Sequence, residues 1–184
     1  MLWRKRGLFA GAIALGFSAS NAFPQSQPTH LTDPQIAHIA YTAGEIDIKA
    51  AREALQKTHN SQVRQFANDM IRDHTAVNDK ALALVKKLQV TPEDNDISRS
   101  LVKQADAERS KLSKSSGAAF DKAYIANEVA YHKQVNQALQ STLIPSAQNP
   151  ELKSLLQNGL QIFEGHEQHA QQLASSIKSG QAGK

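Results

Sequence analysis

The chain has 184 residues, enough for one domain of ordinary size, and contains no cysteine. The lack of cysteine excludes disulfides, thiolate metal sites, a cysteine nucleophile and a lipid-anchored amino-terminal cysteine. The formal net charge is +4, but Arg4, Lys5 and Arg6 lie in what we interpret as a removable leader. The other 18 basic and 17 acidic residues leave a net charge of +1, which gives no electrostatic reason to bind nucleic acid or anionic lipid.

Residues 1–22 have the pattern of a secretory signal peptide. The basic residues precede an apolar run from Gly7 to Phe17, which is shorter than the ~20 residues of a membrane-spanning helix. The small residues of Ser20-Asn21-Ala22 predict cleavage before Phe23, and so export to the periplasm with no membrane span left in the mature chain. An uncleaved membrane anchor is the alternative interpretation.

The first long helix is expected after a disordered spacer at residues 23–31, which is rich in proline and polar residues. Thr32-Asp33-Pro34 supplies a cap and a first-turn proline, and the helix should run to about Lys57. Small apolar residues cover two adjoining faces, and Glu45 lies at the edge of one of them. The connection at residues 58–61 is short, which predicts that the next helix is an antiparallel neighbour.

The second helix, from about Ser61 to Leu88, has the clearest apolar stripe in the chain. Its apolar positions advance by steps of three and four, which is typical of one buried helix face. His74 stands in the middle of this stripe, with Asp73 beside it. The stripe comprises Val63, Phe66, Met70, Val77, Ala81, Leu84 and Leu88.

A shorter helix is predicted from the caps at residues 94–96 to Leu112, with a break at residues 113–117. Most of its faces are charged, so we expect it to lie across the outside of the domain. About 19 residues of helix span ~28 Å, enough to return the chain to the end where the second helix began.

The next long helix, from about Ala118 to Leu143, also carries polar groups among its apolar positions. Asp121, Glu128 and His132 fall within the arc that its aromatic and aliphatic residues define, and Pro145 is expected to end the helix.

Asn149-Pro150-Glu151 predicts the start of the last helix, and residues 179–184 are expected to be a disordered tail. Its predicted buried stripe comprises Leu152, Leu155, Gly159, Ile162, His166, His169, Leu173 and Ile177.

Four long amphipathic helices and one short helix predict an all-α, ferritin-like four-helix bundle with a short crossover helix, over residues 32–178. Distances counted along the helices place Glu45 level with His74, and Glu128 level with His166. His132 lies one turn, about 5 Å, from Glu128. The polar groups on the predicted buried faces should therefore meet in one central layer.

A buried imidazole or carboxylate is costly unless it is paired or bound to an ion. We therefore predict that this layer can hold one divalent ion, and imidazole with carboxylate suits iron, manganese or zinc. The predicted ligands are Glu45, His74, Glu128, His132 and His166. Asp73, Asp121 and Tyr124 are predicted to orient the ligands from a second layer.

Two considerations limit this hypothesis. Di-iron bundle proteins carry Glu-x-x-His on two helices. Here Ile71 and Phe163 precede His74 and His166 by three residues, and Glu128 precedes His132 by four, so a standard di-iron centre is not expected. The alternative is a metal-free polar layer that fixes helix register in an interaction module of the cell envelope. No nucleophile–base pair is readable, so whether the chain is an enzyme stays open.

The order of several motifs resembles the bacterial "domain of unknown function 4142" family. These motifs are Glu45-Ile46, Val63-x-x-Phe66-Ala67-x-x-Met70-Ile71-x-Asp73-His74, Phe120-Asp121-x-x-Tyr124-Ile125, His132, and His166-x-x-x-Ala170-x-x-Leu173. The resemblance extends from about Thr32 to Ile177. It implies a ferritin-like, exported bacterial domain and no established activity.

Overall fold

The computed structural model describes residues 31–178, which are helical throughout apart from short connections and contain no β-strand. The predicted signal peptide, nearly all of the predicted spacer and the predicted tail lie outside these residues. The all-α prediction is confirmed. The helices are α1 (Asp33–Lys57), α2 (Ser61–Lys87), α3 (Asp96–Leu112), α4 (Gly117–Ala138), α5 (Ile144–Ser146) and α6 (Pro150–Lys178), with a π-helical turn at Leu139–Leu143 between α4 and α5.

Capping side chains explain where the helices begin. The hydroxyl of Thr32 accepts the backbone N–H of Gln35, whose side chain accepts the N–H of Thr32 in return. Asn60 and Asn95 cap α2 and α3 through their side-chain oxygens. These starts agree with the sequence prediction to within two residues.

The crossover helix α3 runs the length of α1. Just before α3, the N–H of Glu93 donates to the carbonyl of Pro34 at the amino end of α1, at 3.0 Å. At the other end, Nζ of Lys57 donates to the carbonyl of Ser113 at 2.9 Å. The chain therefore returns to the end where α2 began, and α2 and α4 run parallel, as the length of α3 predicts.

The carboxyl end of α4 differs from the prediction. The helix widens into a π turn at Leu139–Leu143 and continues through Pro145 to Ser146, so Pro145 does not end the helical run. A proline lacks the N–H of a helical residue, and its ring sits without strain only in the first turn of a new helix, the place it takes in α5. The backbone then turns, and the amides of Gln148 and Asn149 both donate to the Asp33 carboxylate, each at 2.8 Å.

Two apolar clusters fill the bundle on either side of a polar layer. One includes Phe66, Met70 and Tyr124, and the other includes Ile36 and Leu139. Leu31, assigned to the spacer from the sequence, is buried in the second cluster. No helix within residues 31–178 is long and apolar enough to cross a membrane.

The buried face of α6 is rotated from the predicted one. Leu156, Phe163 and Ala170 are buried, whereas Ile162 is 36% exposed and His169 is half-buried. His166 and Leu173 belong to both the predicted and the observed stripe, because the two stripes differ by only one residue at every second step. The prediction for the stripe of α6 was therefore wrong at those steps, and His169 lies at its edge.

The closest approach of α1 to α2 depends on Gly44. A Cβ atom there would lie 2.4 Å from Oδ1 of Asn78, which is 5% exposed and donates through Nδ2 to Glu45 at 2.9 Å. We expect Gly44→Ala to lower the free energy of unfolding by about 1–2 kcal/mol, because the buried amide must shift and lose this hydrogen bond.

Gly165→Ala is the matched control, since a Cβ there meets nothing within 4 Å. It should raise stability by about 0.5–1 kcal/mol through helix propensity alone. Urea unfolding of both variants measures the difference. Equal stabilisation by the two substitutions would contradict close packing at Gly44.

Candidate metal centre

The four long helices bring one imidazole or carboxylate each to the same level of the bundle. Asp47 comes from α1, His74 from α2, His132 from α4 and His166 from α6. All four are buried, with exposed fractions of 1%, 3%, 1% and 7%. Each stands where the apolar stripe of its helix would otherwise continue, so the periodicity that buries the helix also buries the polar group.

The three imidazoles form a nearly equilateral triangle. The ring centres are 5.7 Å apart for His74 and His132, 5.3 Å for His74 and His166, and 5.4 Å for His132 and His166. One nitrogen from each ring lies within 4.8 Å of the other two. Imidazoles that bind one ion through nitrogen have ring centres about 3.2 Å from the ion, and hence roughly 5.2–5.5 Å apart at tetrahedral or trigonal angles. The triangle therefore has the dimensions of a three-histidine metal site.

Asp47 adds a carboxylate to this triangle. Its Oδ2 lies 2.8 Å from Nε2 of His74 and 3.2 Å from Nε2 of His132. These are ion-pair distances, but neither contact is a well-aligned hydrogen bond, so both carboxylate oxygens and both Nε2 atoms are buried without one. Two ligand atoms about 2.1 Å from one ion are separated by roughly 3.0–3.4 Å at 90–110°, which is close to these distances.

The backbone of α4 fixes the tautomer of His132. Nδ1 of His132 lies 3.0 Å from the carbonyl oxygen of Glu128, one turn earlier, and donates to it. The proton is thereby held on Nδ1, and the lone pair is left on Nε2, the atom that faces Asp47. The Glu128 side chain is also buried, and its Oε2 lies 3.7 Å from Nδ1 of His132. A second group of ligand atoms within 4.8 Å of one another comprises Asp47, Glu128 and His132.

His166 is held from the side of α2. Its Nε2 lies 3.0 Å from Oδ2 of Asp73, and Arg72 pairs with the same carboxylate. Nδ1 of His166 remains buried without a partner. Asp73 thus occupies the position of a group that orients an imidazole, the role predicted for it from the sequence, and that role stays a prediction.

Phe163 closes the apolar side of the cluster. Its ring stacks on His74 with the centres 4.4 Å apart and the planes 7° from parallel. The flat contact limits rotation of the imidazole and excludes water from one of its faces. In such a dry environment, charges interact more strongly than they would in water.

Other predicted site residues lie outside this cluster. Glu45 is exposed and accepts a hydrogen bond from Asn78, so the carboxylate that α1 supplies is Asp47 instead. Asp121 is buried at the start of α4 with Oδ1 unpaired, and Tyr124 packs between Phe66 and Phe120. The structure shows no contact of Asp121 or Tyr124 with the three histidines among residues 31–178.

The sequence does contain a signal for Asp47. It interrupts the face of α1 that carries Ile36 and Ala54, just as His74 interrupts the stripe of α2. Glu45 is predicted as a ligand from its depth along the helix, and depth alone does not say which side of a helix a residue faces. The two positions differ by two residues, or about 200° around the helix axis.

The buried groups shift one another's pKa values. Burial opposes ionisation of Asp47, but the charges that His74 and His132 can carry outweigh it and hold its pKa well below the usual value. Burial and the charge of Asp47 raise the pKa of Glu128 well above its usual value, which favours the protonated carboxyl group in the absence of an ion. Burial lowers the pKa of His132, yet the Asp47 carboxylate more than compensates and the pKa is raised.

His166 has the opposite behaviour. Burial, together with repulsion from His74 and His132, outweighs the hydrogen bond to Asp73 and lowers its pKa to about 4. Between pH 6.5 and about 4 the unfolded chain binds a proton on His166 that the folded chain does not bind. This residue therefore makes the fold less stable as the pH falls through that window.

We expect the metal-free wild-type protein to lose about 2–3 kcal/mol more stability than His166→Gln when the pH falls from 7 to 4.5. The raised pKa values of Glu128 and His132 act in the other direction, but they are common to both proteins and largely cancel in the comparison. Urea unfolding in the presence of EDTA provides the measurement. His59→Gln, at an exposed position between α1 and α2, should follow the wild type. Parallel curves for His166→Gln and the wild type would show that His166 is not buried in this way.

Two solved structures have a fold similar to that of this chain. None of the curated proteins compared with this sequence is a detectable relative. A crystal structure from Streptomyces coelicolor, described as a secreted DUF305 protein, matches with a TM-score of 0.64 and 12% identity, covering 82% of this chain and 94% of that one. The structure of CopM in its Cu(II)-bound form matches with a TM-score of 0.60 and 15% identity, covering 79% and 97%.

These identities are low, and the likeness shows a shared helical fold. The family relationship is shown by the sequence, and it is the one that the motifs around His74, His132 and His166 predict. The model of the family described as "Domain of unknown function (DUF4142)" matches residues 18–173, which is most of the chain. The protein belongs to this family.

Proposed function

We propose that this protein binds one divalent transition-metal ion inside the helical bundle and serves in metal handling outside the cytoplasm. The observation that carries the proposal is the buried set of Asp47, His74 and His132, with unpaired ligand atoms at the spacing of a single coordination sphere. His166 forms a second triad with His74 and His132, so the four long helices each contribute one candidate ligand. Glu128 can join when its proton is displaced, because metal ions compete with protons for carboxylates.

The chemistry of the ligands favours particular ions. Three imidazoles and one carboxylate suit zinc or copper(II), and also iron, whereas manganese prefers a set richer in oxygen. Among the divalent ions of this series, copper(II) binds nitrogen and oxygen sites most tightly. The structural neighbour CopM was solved in a Cu(II)-bound form, which agrees with this choice although its identity to this chain is only 15%. We therefore expect copper(II) and zinc to bind better than manganese.

Export is the second part of the proposal. The pattern of residues 1–22 predicts a signal peptide cleaved before Phe23, and the neighbour from Streptomyces coelicolor is described as a secreted protein. A ferritin-like role in storing metal or in protecting the cell envelope from oxidants is one form that metal handling could take. Fold similarity alone does not choose between such roles.

The test is direct measurement of metal binding by untagged protein. Titration of the metal-free protein with Zn²⁺ or Cu²⁺, followed by calorimetry and elemental analysis, should give one tightly bound ion per chain. His74→Gln should lose most of that binding, because it removes one of the three imidazoles of the triangle. At a free ion concentration of 100 times Kd, binding should stabilise the wild type by about 2.7 kcal/mol, which thermal unfolding detects.

His59→Gln is the control for this experiment, because His59 is an exposed histidine away from the cluster. It should bind the ion as the wild type does. Circular dichroism establishes that both variants are folded.

Asp47→Asn provides a second test that keeps the size of the side chain and removes its charge. Metal binding well below one equivalent, or equal binding by His74→Gln and the wild type, would refute the proposal.

The metal-free alternative, a polar layer that fixes helix register in a cell-envelope module, has one observation in its favour. Asp47 carries its charge between two histidines that can be protonated, so the layer can also be satisfied as an ion pair. Under this alternative, EDTA leaves the thermal unfolding temperature of the purified protein unchanged. Under metal binding, EDTA lowers it and Zn²⁺ restores it.

A further inference from the structure

A cleft beneath α3 leads from the surface to the carboxylates of the cluster. It has a volume of about 200 Å³ and is lined by residues of α1, α3 and α4. Gln104 and Gln134 at its edge are exposed, whereas Asp47 and Glu128 at its inner end are each only 1% exposed. The cleft therefore lies between solvent and two of the most buried polar side chains of the bundle.

The inner end of the cleft has the chemistry to receive a cation. Both oxygens of Asp47 and Oε2 of Glu128 are buried and have no hydrogen-bond partner among the described residues. Oδ2 of Asp47 is also the atom that contacts His74 and His132. An ion that reaches Asp47 from the cleft has thus already arrived at the three-histidine triangle.

We propose that the metal ion enters the cluster through this cleft as a hydrated cation, and that α3 controls the entry. This inference rests on the proposed function. The amide side chains of Gln104, Asn127 and Gln134 line the cleft and can hydrogen-bond the water molecules of a hydrated divalent cation.

Two features of α3 fit it for this role. Only Ser98 and Leu112 of its 17 residues are buried. This helix therefore has the smallest buried fraction among α1, α2, α3, α4 and α6, and it can move away from the bundle at low cost. Arg109 ties its carboxyl half to α1, because its Nε lies 3.0 Å from both carboxylate oxygens of Glu53. Arg109 also pairs with Asp106, so its charge is balanced by two carboxylates at the cleft through which the cation passes.

Ala105 gives the means to close the cleft. It lies on the lining of α3, is half-buried and contributes only a methyl group. Ala105→Phe should fill much of the space without touching a proposed ligand. Because a blocked route hinders entry and exit equally, the rates of Cu²⁺ binding and release should both fall, by about tenfold or more, while Kd changes little.

The matched control is Ala138→Phe. Ala138 is also a half-buried helical alanine, and it lines an adjoining apolar cavity of about 200 Å³, which shares Leu101 and Gln134 with the cleft and reaches Phe163. Ala138→Phe leaves the proposed route open, so this variant should load Cu²⁺ within about twofold of the wild-type rate. A twofold change in rate corresponds to less than about 0.5 kcal/mol in the activation barrier. If instead this variant is slowed and Ala105→Phe is not, the ion enters along the apolar cavity and the proposal is wrong.

Arg109→Gln tests the same proposal in the opposite direction and does not depend on whether the larger side chain at position 105 is tolerated. Losing the link to Glu53 loosens the carboxyl half of α3, which Lys57 then holds to α1 only at its end, so loading should be faster than in the wild type. Stopped-flow quenching of tyrosine fluorescence by Cu²⁺ measures all these rates, because the Tyr131 ring centre is 6.1 Å from that of His132.

The outcomes separate the entry route from the proposed function. If wild-type protein binds no Cu²⁺, the proposed function fails. If it binds Cu²⁺ with the expected affinity but Ala105→Phe loads at the wild-type rate, or Arg109→Gln loads no faster, the entry route alone is overturned. Slower loading by Ala105→Phe with an unchanged Kd, together with faster loading by Arg109→Gln, supports entry beneath α3.

Discussion

The contact of Asp47 with His74 and His132 is the interaction on which the arrangement of the bundle depends. A carboxylate that is 1% exposed is costly unless positive charge or a metal ion lies beside it. The two imidazoles come from different helical hairpins, because α1 pairs with α2 and α4 pairs with α6. Satisfying Asp47 therefore fixes the height and rotation of one hairpin relative to the other, which apolar packing alone constrains only loosely.

The two apolar clusters give this contact its strength. They lie on either side of the polar layer, with Phe66 and Met70 in one and Ile36 and Leu139 in the other. Water is excluded from both sides, so the charges of the layer act at a low effective dielectric. The same exclusion raises the pKa of Glu128 and lowers that of His166. Burial thus favours the neutral form of both groups: His166 keeps a lone pair for an ion, whereas Glu128 must first give up its proton.

The sequence predicts the helices and the crossover well because both depend on local signals. Caps and prolines mark the helix starts, and the length of α3 determines which end of the bundle it reaches. The level of His74, His132 and His166 follows from counting residues along rigid helices. Rotation is harder to predict, because α1 has small residues on adjoining faces, and the interruption of one face by Asp47 is a weak signal beside the depth of Glu45. In α6 the choice between Leu155 and Leu156 depends on which of them meets the apolar cluster of Ile36 and Leu139, which only the folded chain contains.

The spacing of Glu128 and His132 explains why this site differs from a di-iron centre. At a spacing of four residues, the carbonyl of Glu128 accepts the Nδ1 proton of His132, and the imidazole is oriented by the backbone of its own helix. The carboxyl group of Glu128 then points toward Asp47 and does not share an ion symmetrically with a second Glu-x-x-His motif. The result is two overlapping groups of candidate ligands that share His132 and draw on all four long helices. An ion held by members of both groups would link all four helices at once, so its binding free energy would stabilise the whole bundle and not a single hairpin.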